Sequence, residues 1–307
     1  MSEPRPYLDE HDLQAMIDLL TSGRKAGNGT YYIHTGDLRW WLYYPPLEAD
    51  FWKDIYLWDD PQQPARLLGW AFLSTDWVGF DVYVQPELRG SPLTMNMYTW
   101  AEQKATMIAQ EKGKPTIYCL WIRHDDEVMD RYFMEHGFSR KRGMVHLTCN
   151  LDNVLQTLDT PVGFDVRSCM GEPEVNARAR AQYGAFASLA PFEHYEGRFR
   201  SFMRSPVYDR DHDIVAVAQD GQVGAFGIIW LDAENLVGLF EPVGTHPNFQ
   251  RKGLGRAVMQ EGLRRLQAYG MKQAIVSTYE DNPTAIKFYE SLGFQVVYHL
   301  GTYEKDV

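Results

Sequence analysis

The chain repeats one order of predicted elements at a spacing of about 156 residues. Solenoid repeats have periods of about 20 to 50 residues, so a period of this length indicates a duplicated domain. The 307 residues are enough for two domains, and we place the copies at residues 1–152 and 160–307. The matched positions and their separations are Gly69 with Gly224 (155), Pro86 with Pro247 (161), and Gly137-Phe138 with Gly293-Phe294 (156).

The spacing of the apolar residues predicts the same order of elements in each copy: a helix, several strands, a long helix, a strand, a short helix and a final strand. The aromatic-rich segment 39–44 is predicted to be a strand, because aromatic residues favour strands. Helices are predicted at 8–20, 93–112, 127–136, 174–188, 192–203, 256–268 and 283–292. Strands are predicted at 39–44, 54–58, 67–73, 78–84, 115–122, 141–147, 213–218, 222–231, 273–279 and after Phe294.

The composition, with 45% hydrophobic and 23% charged residues, is typical of a folded soluble protein. No run of about 18 apolar residues is present, so we expect no membrane helix. The three cysteines show no C-x-x-C spacing, which argues against a disulfide framework and a zinc site and favours a cytoplasmic protein. The net charge of −11 argues against a general nucleic-acid binder. It is compatible with a cationic substrate, although acidity is also a common route to solubility.

The stretch Glu241–Gly255 has the layout of an anion-binding turn between a strand and a helix. Its glycines permit a tight turn and a close approach of the backbone to a ligand. The first free N–H groups of the following helix then face the anion. Gln250, Arg251 and Lys252 add donors and positive charge. The stretch contains neither G-x-G-x-x-G nor G-K-[ST], so it is not a dinucleotide fingerprint or a P-loop.

Q-R-K-G-L-G, at 250–255, resembles the acyl-CoA pyrophosphate loop of the GCN5-related N-acetyltransferases (GNAT), [RQ]-x-x-G-x-[GA]. V-G-T at 243–245 precedes it, where that family binds the pantetheine arm with unpaired strand backbone. N-P-T-A-I-K-F-Y-E-S-L-G-F, at 282–294, resembles the family's C-terminal helix motif. The resemblance implies an acetyl-CoA site, with no metal, formed by Val243, Gly244, Thr245, Gln250, Arg251, Lys252, Gly253, Leu254, Gly255, Arg256 and Asn282.

The resemblance also implies the fold class: α/β (α+β), with two tandem acyl-CoA N-acyltransferase domains. Each would be a mixed, mostly antiparallel sheet flanked by helices. The two-lobe arrangement is similar to that of the mycothiol synthases, a likeness of arrangement that says little about substrate.

Glu241 and Tyr289 are the candidate catalytic residues. A carboxylate within an apolar strand must face water, a partner or a cleft, and the resemblance implies that Glu241 takes a proton from the acceptor amine. A salt bridge to a nearby basic residue is the alternative for Glu241. The resemblance implies that Tyr289 protonates the departing thiolate, whereas its helical spacing alone would make it a core residue. Asn282 is also a good N-cap, and His246 is a weaker candidate base.

The first copy departs from the pattern. Its loop, P-E-L-R-G-S-P-L at 86–93, lacks the second glycine, and Pro92 removes a backbone donor. We therefore expect a degenerate GNAT-like domain that helps to form the acceptor cleft, where some of its many tryptophans and tyrosines could attract a cation. In the second copy, the candidate acceptor residues are Glu193, His194 and Tyr195.

These observations predict an acetyl-CoA-dependent N-acetyltransferase that acts on a small-molecule amine, without a nucleic-acid or membrane partner, as a monomer or homodimer. The alternatives are a non-catalytic acyl-CoA or small-molecule binding protein on the same tandem fold, and a transferase with another acyl donor or acceptor.

Overall fold

The computed structural model describes residues 3–26, 32–44, 54–75, 77–153 and 160–307. Within these ranges one mixed sheet of twelve strands has the order β1-β2-β3-β4-β5-β12-β6-β11-β10-β9-β8-β7. The strands are β1 Arg5–Pro6, β2 Ile55–Asp60, β3 Gln63–Ser74, β4 Gly79–Val84, β5 Thr116–Arg123, β6 Ser139–Asn150, β7 Phe164–Ser168, β8 Asp213–Ala218, β9 Val223–Asp232, β10 Val237–Thr245, β11 Gln273–Tyr279 and β12 Gln295–Asp306. The helices are α1 Glu10–Ala26, α2 Thr35–Tyr43, α3 Pro92–Lys112, α4 Glu127–Glu135, α5 Val175–Ala185, α6 Phe192–Met203, α7 Leu254–Ala268 and α8 Pro283–Glu290.

The duplication is visible in the element order. We call the part with β1–β6 and α1–α4 the first lobe, and the part with β7–β12 and α5–α8 the second lobe. In both lobes a strand is followed by two helices, three strands, a long helix, a strand, a short helix and a final strand. The described neighbours in the sheet are antiparallel except for one parallel pair in each lobe, β4 with β5 and β10 with β11.

The final strand of each lobe crosses into the other lobe. Strand β6 lies between β12 and β11, where Asn150 is opposite Gln273. Strand β12 lies between β5 and β6, where Asp306 is opposite Thr116. The sheet is therefore continuous, and each lobe is completed by a strand that the other lobe supplies.

The prediction of a strand at 39–44 is wrong, because these residues lie in helix α2 and at its C-cap. His34 caps this helix by accepting from the N–H of Gly36, and the carboxylate of Asp37 accepts from the N–H of His34 at 2.6 Å. This capping, together with burial of one helix face, outweighs the strand preference of the aromatic residues. The short edge strands β1 and β7 were not predicted either.

Helix α2 belongs to the first lobe but packs on strands β9 and β10 of the second. Its Trp40 and the adjacent Tyr44 are buried in one cluster with Phe199 and Phe202 of helix α6. Helix α7 covers the opposite face of the same strands, where Phe240 packs in the second lobe's core. First-lobe side chains are thus brought to the face of β10 that α7 does not cover.

Candidate active site

Strands β10 and β11 separate in the middle of the second lobe. Their parallel pairing ends at Leu239, opposite Ile275, although β10 continues to Thr245. On its other side β10 stays paired with β9, apart from an irregularity between Phe240 and Val243. The edge of residues 243–245 that faces β11 is therefore not paired with β11, and an extended ligand could pair with its backbone.

The loop after β10 leaves the start of helix α7 open to an anion. Gly253 is the N-cap, has φ of +80°, and provides no side-chain cap. The first N–H groups of α7 are therefore available to a ligand, with the positive end of the helix dipole behind them. Arg251 and Lys252 are exposed, and neither forms an ion pair with a described residue. This arrangement is chemically suited to a pyrophosphate group.

Two further loop residues make contacts within the protein. A Cβ at Gly255 would lie 2.9 Å from Oγ1 of Thr245, so a side chain there would crowd the V-G-T segment. Arg256 donates to Oγ of Ser291 at 2.6 Å and so links helix α7 to the end of α8. A structural role for Arg256 is therefore present in addition to the predicted role in cofactor binding.

Helix α8 begins as its sequence predicts. Oδ1 of Asn282 accepts from the N–H of Ala285 at 3.1 Å, and Pro283 occupies the first helical position. Tyr289 is buried in the second lobe's core with Phe294. Burial raises the pKa of the Tyr289 phenol, and the negative charge of Glu241 raises it further. Tyr289 is therefore protonated at neutral pH and lies within electrostatic range of Glu241.

Glu241 lines a cavity between the lobes. Part of its surface is open, but protein surrounds the carboxyl deeply enough that burial raises its pKa to about 8. The negative charge of Asp37, on helix α2, also raises this pKa. Glu241 faces the side covered by α2 and α6, whereas Tyr289 packs on the side of α7. The two side chains thus lie on opposite faces of the sheet, near enough for the charge of Glu241 to raise the pKa of Tyr289.

The cavity has a volume of about 730 Å³, within the range of small-molecule sites. Tyr195 lines it, whereas Glu193 and His194 are exposed and do not. His246 does not line it either; its Nδ1 accepts from the N–H of Asn248. The lining residues are Trp40, Trp41, Tyr44, Phe72, Leu73, Ser74, Trp77, Gly79, Phe80, Asp81, Leu120, Trp121, Met144, Gln182, Phe186, Tyr195, Arg198, Glu241, Pro242, Tyr279, Leu300, Gly301 and Thr302.

Asp81, Trp121 and Arg198 were missed by the sequence reasoning. Asp81 had a usable signal, since it is a carboxylate in an apolar strand, as Glu241 is. Trp121 and Arg198 had none, because only the tertiary structure brings them to the cavity.

The corresponding loop of the first lobe is closed. Ser91 caps helix α3 by accepting from the N–H of Thr94, and Pro92 has no N–H. Arg89 pairs with Asp126, the residue that caps α4. The cavity beside this loop measures only about 90 Å³. In the second lobe the helix N–H groups and the basic side chains of the loop are available to a ligand. In the first lobe the equivalent N–H groups are capped or missing, and Arg89 forms an ion pair within the protein.

Among the residues that the structure describes, no group of three or more His, Cys, Asp or Glu side chains could hold a metal ion. None of the helices in the described ranges combines the length and hydrophobicity needed to cross a bilayer.

Comparisons with known proteins agree with this geometry. Residues 180–294 match the model of the Acetyltransferase (GNAT) family. The chain is 33% identical to a mycothiol acetyltransferase of Saccharomonospora viridis over 187 residues, 58% of this chain and 61% of that protein. It is 25% identical to a mycothiol acetyltransferase of Acidothermus cellulolyticus over 272 residues, 81% of this chain and 78% of the relative. The chain spans about three fifths of the length of several other such relatives.

A solved tandem GNAT protein from the clavulanic acid biosynthesis pathway has a TM-score of 0.71 to this chain. The similarity covers 99% of this chain and 97% of that one at 15% identity, so it concerns the fold. The predicted fold class is confirmed. Residues 180–294 thus match the GNAT family model, and the chain as a whole has a tandem two-lobe fold similar to that of the solved GNAT protein.

Proposed function

We propose that the chain is an acetyl-CoA-dependent N-acetyltransferase that acetylates the amine of a small molecule by direct transfer. The observation that supports this most strongly is the position of Glu241, just beyond the last β10–β11 pair, near an open helix N-terminus and within electrostatic range of the buried Tyr289. A thioester held in that gap would meet an amine from the cavity and a proton donor from the core.

In the proposed reaction Glu241 takes one proton from the acceptor ammonium, and the free amine forms a bond to the thioester carbonyl carbon. The carbon–sulfur bond breaks, and Tyr289 returns a proton to the thiolate sulfur. A backbone N–H near Val243 stabilises the negative charge that develops on the carbonyl oxygen. The nitrogen then loses its second proton, which restores the Tyr289 phenol, and Glu241 releases its proton to the solvent of the cavity. Both side chains return to their starting states, and no covalent enzyme intermediate is required.

The lobes have different roles in this proposal. The second lobe, at about residues 160–307, binds acetyl-CoA through its open loop. The first lobe, at about 1–152, contributes helix α2 and part of β4 to the acceptor cavity, and its own loop binds no CoA. The aromatic lining that it supplies suits a cationic amine, because aromatic faces attract cations.

The test is thiol release from acetyl-CoA in the presence of a panel of amines, with CoA binding measured separately by calorimetry. We expect one CoA per chain and release that depends on an amine. CoA binding without release for any amine, together with no effect of Tyr289→Phe, would support the non-catalytic binding protein. Release that requires a thiol or alcohol would support a transferase with another acceptor.

A further inference from the structure

The cavity contains a second carboxylate that the proposed reaction does not use. Asp81 follows Phe80 in β4, as Glu241 follows Phe240 in β10. Each phenylalanine is buried in the core of its own lobe. In both strands the carboxylate comes within two residues of the last parallel pair, Phe80–Cys119 or Leu239–Ile275. The duplication has therefore given each lobe an acid at the same place, and both acids line the one cavity.

No cation among the described residues neutralises Asp81. Its residue surface is 4% exposed, and no described residue forms an ion pair with it. Its Oδ2 accepts a hydrogen bond from the phenol of Tyr32, while its buried Oδ1 has no hydrogen-bond partner among the described residues. The backbone N–H of Val82 also lowers the pKa of Asp81, but by less than the phenol of Tyr32 does. A buried oxygen left without a partner in a ligand-sized cavity needs an explanation.

The surroundings favour a cation as that partner. Trp41, Trp77 and Trp121 line the cavity with Asp81, and aromatic faces attract ammonium groups. Arg198 is the remaining charged residue of the described lining. Its guanidinium lies over the rings of Tyr44 and Tyr195, at 4.7 and 5.9 Å.

We propose that Asp81 binds a second cationic group of the acceptor, so that the substrate class is a diamine or a larger molecule with two amino groups. One ammonium reacts beside Glu241 and the other pairs with Oδ1 of Asp81. This inference rests on the proposed acetyl transfer for the reaction, but the binding of two cationic groups can be measured without turnover.

The experiment compares linear α,ω-diamines with alkylamines of the same chain length, from propyl to octyl, by calorimetry with the full chain and saturating CoA. For at least one length we expect the diamine to bind about tenfold or more tightly than its monoamine, a difference of about 1.4 kcal/mol. Asp81→Asn should abolish that preference, because it keeps an oxygen for Tyr32 but cannot become the carboxylate that pairs with an ammonium group. Asp211→Asn, at an exposed residue outside the cavity, should keep it.

Equal binding of diamines and monoamines at every length would overturn the inference, as would a preference that survives Asp81→Asn. A loss of the preference in Asp211→Asn as well would also overturn it, since the effect would then be one of overall charge. Thermal melting identifies a variant that has failed to fold, and Asp81→Ser then replaces Asp81→Asn. A failure of the proposed acetyl transfer gives a different result: the diamine binds, but no thiol is released from acetyl-CoA.

Discussion

The pH dependence of catalysis follows from the burial of Glu241 and can be worked out in advance. Its pKa is raised to about 8, so roughly a tenth of this carboxyl is ionised at pH 7 and about nine tenths at pH 9. Only the ionised form accepts a proton. For an amine that stays protonated over this range, kcat/KM should therefore rise about tenfold from pH 7 to pH 9.

Glu241→Gln keeps the size of the side chain and removes the base. We expect kcat/KM to fall by about 10²- to 10⁴-fold, the usual contribution of general base catalysis, and the rise with pH to disappear. The affinity for CoA should stay unchanged, because the carboxyl lies on the cavity side of β10. Thiol release measured across the pH range and CoA calorimetry at one pH provide both quantities.

Asp37→Asn is the matched control. Asp37 raises the pKa of Glu241 through its negative charge, so its removal makes Glu241 easier to ionise. The midpoint of the pH profile should then move to lower pH, with the maximal rate retained. A profile that is flat between pH 7 and pH 9 in the wild type, or a pH-dependent rise that persists in Glu241→Gln, would refute the assignment of Glu241 as the base.

Three further results are expected. Tyr289→Phe should lower kcat by about 10²- to 10⁴-fold without changing the affinity for CoA, because it removes only the proton donor. A normal kcat would exclude that role. Gly253→Asp should weaken CoA binding more than about tenfold, since it places a negative side chain at the anion site. Gly90→Asp, at a similar φ of +77° in the first lobe, should leave CoA binding unchanged. Calorimetry on both variants tests whether the loop is assigned correctly. Burial also raises the pKa of Asp81 to about 8, so the folded state keeps a proton that the unfolded chain releases above its own lower pKa, and stability is lost as the pH rises towards about 8. Asp81→Asn should therefore be more stable than the wild type at pH 9, by up to about 1.4 kcal/mol for each unit of pKa shift removed. Identical urea unfolding curves for the two proteins at pH 9 would contradict this.

The second lobe was predictable because its signals are local. The glycine loop, the Asn282 cap and the helix that it starts depend on neighbouring residues, and the structure has these elements within about two residues of their predicted bounds. Segment 39–44 was mispredicted because its aromatic residues suit a strand, while its helical state depends on a cap and on packing against the other lobe. The additional rise in the pKa of Glu241 that the charge of Asp37 causes likewise depends on a residue far away in the sequence.

The cavity was only partly predictable for the same reason. The first lobe was expected to help form the acceptor cleft, and several of its tryptophans line the cavity. Which tryptophans do so follows from the placement of α2 on β9 and β10, which no local pattern encodes. Asp81 was overlooked because attention to the first lobe's loop, which lacks the second glycine, drew the reasoning away from β4, although the carboxylate of Asp81 does not depend on that loop.

The crossing of β6 and β12 between the lobes has a consequence for folding during synthesis. Strand β5 pairs with β4 on one side, but it obtains its second neighbour only when β12 has been made. Until then the first lobe has an open sheet edge, which is a site for mispairing with other chains. Pairing between such distant segments is also slow to form. The ribosome must therefore release β12 before either lobe is complete, so a deletion of β12 should damage the first lobe as well as the second.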